Sequence, residues 1–157
     1  MIDYAATLKA VNAEIRQGRK IMEQLSTEKQ PAYPFVEYTV TSPYLNPKTY
    51  KIGDGIREEV EMVISYTWFS KSTFEAMSLA QTSATLIKAQ GTRQRLYDLG
   101  IVIVDVMGFG NRDTFLTIET ERRVGFDVRI RITHTDNVTM DELETVVLEA
   151  GTREGQV

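Results

Sequence analysis

Val60-Glu61-Met62-Val63-Ile64-Ser65-Tyr66-Thr67-Trp68 decides how the rest of the chain is read. Val60, Met62, Ile64, Tyr66 and Trp68 point one way, while Glu59, Glu61, Ser65 and Thr67 point the other; Val63 and Phe69 interrupt the alternation. A period of two fits a half-buried strand and is hard to fit to a helix. The pattern returns at Val124, Phe126, Val128, Ile130 and Ile132, which alternate with Gly125, Asp127, Arg129, Arg131 and Thr133. Two strands with one apolar face each call for a second layer to cover them.

Helical spacing supplies that layer. Tyr4, Leu8, Val11 and Ile15 recur at steps of four, three and four, and Asp3 is placed to cap the first turn. The pattern runs on through Gly18, Met22 and Leu25. Ser72-Thr73-Phe74-Glu75 is a capping box, and Phe74, Met77, Ala80, Ala84 and Ile87 form a second helical stripe ending near Gly91. Residues 92–99 read as a short turn or helix.

Further strands fill the gaps. Val36, Tyr38 and Val40 alternate with polar neighbours until Ser42-Pro43, which reads as a stop. Residues 43–56 then read as a long connection, either functional or a loose hairpin. Ile101-Val102-Ile103-Val104 suggests an inner strand closed by a turn at Gly108-Phe109-Gly110-Asn111, and residues 115–121 suggest another strand. Thr139-Met140-Asp141-Glu142 is a second capping box, but residues 144–148 fit a strand equally well. The expected order is α-β-β-α-β-β-β plus a tail. The fold class is α+β: a single mixed, mostly antiparallel sheet of four to five strands with two main helices packed on one face. Residues 1–133 form the domain and 134–157 an acidic C-terminal segment.

Composition narrows the chemistry. The 157 residues include no cysteine and one histidine, which excludes a disulfide framework, a thiolate metal site and a cysteine nucleophile. The first residues lack the basic stretch and apolar core of a signal peptide, and no apolar run is long enough to span a membrane, so a reducing compartment is expected. The net charge is 18 − 22 = −4, but residues 134–157 carry six acids against Arg153, leaving 17 basic and 16 acidic residues in the body. A body at +1 has no electrostatic footprint for gripping phosphate backbones.

No reactive constellation emerges. Gly108-Phe109-Gly110 lacks the third glycine and the following helix of a dinucleotide site. His134 reads as a surface histidine at a strand end. The expected strands put Glu119 and Glu121 on one face, as they do Glu59 with Glu61 and Arg129 with Arg131, suggesting cross-strand charge rows. No catalytic, cofactor-binding or metal-ligating residue is assigned. Candidate protein-interface residues are Tyr44 and Tyr50 in the long connection, Arg112 and Asp113 at a turn, and Glu119, Arg122 and Arg123 beside it.

Pro34-Phe35-Val36-Glu37-Tyr38-Thr39-Val40-Thr41-Ser42 resembles the first strand of the tailed-bacteriophage neck or tail terminator proteins. Asn111-Arg112-Asp113-Thr114-Phe115-Leu116-Thr117-Ile118-Glu119, then Glu121-Arg122-Arg123 and Gly125-Phe126-Asp127-Val128, resemble the same family in the same order. The resemblance covers residues 1–133. It implies a virion structural protein without catalysis or cofactors. Such a protein forms a ring, usually a hexamer, at the head-proximal end of the tail tube. It ends tube polymerisation and meets the head-completion or connector proteins, with the sheath protein a further candidate partner. Genomic DNA passes through the lumen without specific binding, and assembly takes place in the bacterial host cytoplasm. In that setting Tyr44 and Tyr50 would reach a neighbouring subunit or tube protein. Arg112 and Asp113 would fix a turn, and Arg122 and Arg123 would pair across a subunit boundary. Two other classes stay open: a small cation-dependent enzyme using Glu119, Glu121 and Asp127, and a monomeric adaptor that binds a peptide along a sheet edge.

Overall fold

The computed structural model describes residues 1–137; the second capping box and the helix-or-strand question at 144–148 lie outside the described residues. Among the described residues, five strands form one mixed sheet in the order β1-β2-β3-β5-β4, accompanied by three helices. The elements are α1 (Tyr4–Ile15), β1 (Ile21–Glu23), β2 (Phe35–Ile52), β3 (Gly55–Ser70), α2 (Thr73–Lys88), α3 (Gln90–Asp98), β4 (Ile101–Asn111) and β5 (Arg122–Asn137). The two alternating stretches lie side by side at its centre. β3 and β5 pair antiparallel without a break from Gly55 opposite Asn137 to Ser70 opposite Arg122. Every residue of the Val60-to-Trp68 row and of the Val124-to-Ile132 row is buried. They share one core with Val11 and Ile15 of α1, Ala76, Ala80, Ala84 and Ile87 of α2, and Leu96 of α3.

Polar side chains buried in that core are paired, as the cost of an unmade hydrogen bond requires. The Ser83 hydroxyl donates to the Ile15 carbonyl (2.6 Å) and accepts from Trp68 Nε1 (3.0 Å) and Gln17 Nε2 (2.8 Å). One donor and two lone pairs are thereby all used. Tyr66 donates to Asn12 Oδ1 at 2.7 Å.

Several expectations are corrected. The first helix does not resume after Gly18. Gln17 and Gly18 take positive φ (50° and 71°), and Ile21, Met22 and Glu23 leave as β1, parallel to β2. β2 does not stop at Ser42-Pro43. It runs on to Ile52 and forms a long antiparallel hairpin with β3, with register shifts between Ser42 and Leu45 and between Leu45 and Lys48. Pro43 and Pro47 fall inside those shifts, where a missing amide removes no ladder bond. Phe74 and Met77 are exposed, because α2 turns Ala76, Leu79 and Ser83 inward instead. The capping box is only half reciprocal: Ser72 Oγ accepts the Glu75 amide, but Glu75 accepts from Ser70 Oγ at 2.6 Å. β4 is an edge strand that passes through Gly108 as a bulge and ends at Asn111. Residues 114–120 are a run of tight turns, not a strand.

Candidate functional site

The candidate residues gather in two places. The first is the connection from β4 to β5. Arg112 donates its amide to the Arg123 carbonyl at 2.8 Å, the last backbone bond before the chain leaves the sheet. Asp113 then ties the root: Oδ1 accepts the Arg123 amide at 2.6 Å, and Oδ2 accepts Asn111 Nδ2 at 2.9 Å and faces Arg122 Nη1 at 3.5 Å. Burial pushes the Asp113 carboxyl up, but the bonds from Arg123, Asn111 and Arg122 outweigh it and hold it below the ordinary carboxylate value.

Arg112 lies across the sheet. Its guanidinium bonds to the Ser65 hydroxyl, to Thr67 Oγ1 at 3.3 Å and to Asp127 Oδ1 at 3.0 Å. This path exists because position 125 is glycine. A Cβ there would run into the Tyr66 carbonyl and sit 2.9 Å from the Arg112 side chain. A glycine inside a strand pattern is a readable sign of such close approach, although its partner was not legible.

Arg123 stacks over the Phe69 ring, 4.6 Å from its centroid, and its Nη2 lies 2.5 Å from Glu121 Oε1. The other Glu121 oxygen accepts the Tyr33 hydroxyl at 2.7 Å. Arg122 and Arg123 thus have partners within the chain. Sequence reasoning missed Tyr33, because a contact between residues 88 apart leaves no local pattern. Glu119 is exposed and makes no ion pair among the described residues. The same turns leave Phe115 and Leu116 bare.

The second place is the outer arm of the β2–β3 hairpin. Tyr44 and Tyr50, expected in a loop, stand on β2 and are half exposed. Tyr44 donates to Glu58, which is buried and also accepts Thr49 Oγ1 at 2.6 Å and His134 Nε2 at 2.9 Å. An ionised carboxylate only accepts, so Nε2 is the protonated ring nitrogen here. Donation from Thr49, Tyr44 and His134 lowers Glu58 to about 2. The bond to Glu58 raises the Tyr44 hydroxyl. His134, expected at the surface, is corrected: its side chain is 12% exposed and closes this cluster. Tyr50 has no part in it.

The expected charge rows divide. Arg129 does approach Glu61 on the neighbouring strand, at 3.7 Å. Glu119 and Glu121 are not part of any row, because their segment is not in the sheet. Glu119, Glu121 and Asp127 do not converge, since Glu121 is held by Arg123 and Asp127 by Arg112. Among the described residues no three metal-ligating side chains gather. No helix among them is long and apolar enough to cross a membrane.

The sequence model of a family described as phage neck terminator protein matches residues 6–156. No match is found among curated proteins.

Proposed function

The chain belongs to the phage neck terminator family, and on that premise we propose that its copies close into a hexameric ring at the head-proximal end of a phage tail tube. The ring ends tube polymerisation and presents its other surface to the head-completion or connector proteins, and to the sheath protein where a tail has one. The protein works in the virion neck after assembly in the host cytoplasm, and it catalyses nothing. Family membership carries this reading. The surface left over by the fold supports it: exposed apolar groups on a braced turn are the material of protein contacts rather than of a reaction.

DNA would pass through the lumen without being held. A nearly neutral body fits that passage, because fixed cations facing the duplex would bind phosphates by counterion release and retard it. Tyr44, Tyr50, Arg112, Asp113, Glu119, Arg122 and Arg123 remain the proposed interface set, with differing duties. Asp113, Arg112 and Arg123 shape the turn that a neighbour meets, whereas Glu119 and Tyr50 are free to touch it.

Mixing the purified protein with its tail-tube protein tests the proposal. Electron micrographs should show tubes of arrested length capped at one end; tubes of unchanged length overturn termination. Calorimetric titration with magnesium, calcium and manganese is expected to give no heat of binding. Saturable heat would favour the cation-dependent enzyme.

A further inference from the structure

Phe115 is 95% exposed and Leu116 93%, an unusual position for two large apolar side chains side by side. They are not exposed through slackness. The Ile118 amide donates to the Thr114 carbonyl at 3.0 Å, and the Thr120 and Glu121 amides donate to the Thr117 carbonyl at 2.9 Å each. Asp113 fixes the root of the same turns. An apolar tip already held in shape loses little freedom when it docks, which is what an interface anchor needs.

The chain also carries a groove of suitable size. Between α1 and β1 lies a space of about 550 Å³, lined by Leu8, Ile21 and Tyr38. Tip and groove cannot meet within one chain. Tyr38 stands opposite Tyr66, so the groove opens on the core side of the sheet, at its β1 edge. The turn is rooted through Arg112 on Ser65 and Thr67, whose side chains point to the other side.

Charge sets the direction of a match. Glu119 is the only charged residue among residues 114–120. The α1 wall of the groove carries Lys9 and Arg16, both exposed and without an ion pair among the described residues. Glu23 and Glu28 stand on the other wall. A tip carrying Glu119 therefore fits in one orientation, with the glutamate toward α1.

We infer that Phe115 and Leu116 insert into the α1–β1 groove of a second copy of this chain, with Glu119 against Lys9 and Arg16. The contact is head-to-tail. Each copy gives a tip to one neighbour and a groove to the other, and such a contact propagates until rotation closes it. This rests on the ring reading above and names the surface the ring uses.

The chain has no cysteine, so an introduced pair reports the contact without background. The full chain carrying Ile21→Cys and Leu116→Cys, assembled on tail tubes and mildly oxidised, should give a ladder of covalent multimers on a non-reducing gel. Either single variant should stay monomeric on the gel, because its one thiol meets no second thiol across the contact. If rings are visible in the same sample but no ladder forms, this contact is overturned and the ring stands. If neither appears, the ring reading falls as well. Charge reversal gives a second test at exposed sites that do not endanger folding. Glu119→Arg should weaken self-association about tenfold, and adding Arg16→Glu should restore it; a Glu119→Arg chain that associates as tightly as the unaltered one overturns the assignment. Rings that survive Phe115→Ser with Leu116→Ser while tube binding is lost would give the tip to the tube protein, which also overturns it.

Discussion

The hairpin arm and the β4–β5 turn are built from similar polar residues and use them in opposite ways. In the arm, Tyr44, Thr49 and His134 all spend their donors on one carboxylate, Glu58, and the cluster closes on itself. In the turn, Asp113, Arg112 and Arg123 tie the root to the sheet and leave the Phe115 and Leu116 side chains exposed among the described residues. Polar bonding that closes internally stabilises the monomer. Polar bonding that holds an apolar tip outward prepares a surface for something else. Under the proposed function the turn is what a neighbour meets first, while the Glu58 cluster braces the arm.

The sharpest way to break this contrast is at the slot beneath Arg112. Gly125→Ala sets a Cβ against backbone that cannot move aside, and should destabilise the monomer by about 3 kcal/mol, the upper range for overpacking. Urea unfolding followed by tryptophan fluorescence measures it, and a cost near zero would mean that Arg112 does not need the slot. Next is Asp113→Ala, which leaves the Arg123 amide and the Asn111 side chain without an acceptor. About 2 kcal/mol is expected from groups stranded in this way, together with faster protease cleavage within residues 114–120.

The arm answers to acid. Glu58 is held at about 2 in the folded chain against an ordinary value of 4.5, so its contribution is fully present above pH 4.5 and is lost as the pH falls toward 2. Asp113, also lowered, acts in the same direction below its ordinary 3.8. Glu58→Gln should therefore flatten the pH dependence of stability between pH 4.5 and 2, while Asp113→Asn leaves most of that slope in place. Equal slopes for Glu58→Gln and the unaltered chain would show that the cluster does not govern acid stability. The smallest effect is expected at the tip: Phe115→Ser and Leu116→Ser should each change monomer stability by no more than about 0.5 kcal/mol, as for exposed sites generally. A larger loss in the isolated monomer would place these side chains within the fold rather than outside it.

The central strands were legible because an alternating face is a local pattern, readable five residues at a time. What was not legible depended on distant partners. β1 is three residues long and has no period; it becomes a strand only because β2 lies beside it. Pro43 and Pro47 read as stops, although bulges absorb them. Leu116 and Ile118 alternate with Thr117 and Glu119 much as in a strand, but Asp113 turns the chain before a partner strand can reach them. Of the candidate site, the arginines and Asp113 stood out by type and position. Glu58 and Tyr33 did not, because what singles them out is the company they keep in space.

The bulged arm also bears on how the chain avoids aggregation. Beyond Tyr38, among the described residues, β2 has β3 on one side and no strand on the other. A straight border of free amides and carbonyls that long would recruit any extended chain in a crowded, newly translated population. Here Pro43 and Pro47 interrupt it and Lys48 and Lys51 charge it, so a stray strand finds at most four residues of continuous purchase at a time. The border is thereby a poor template for fibrils.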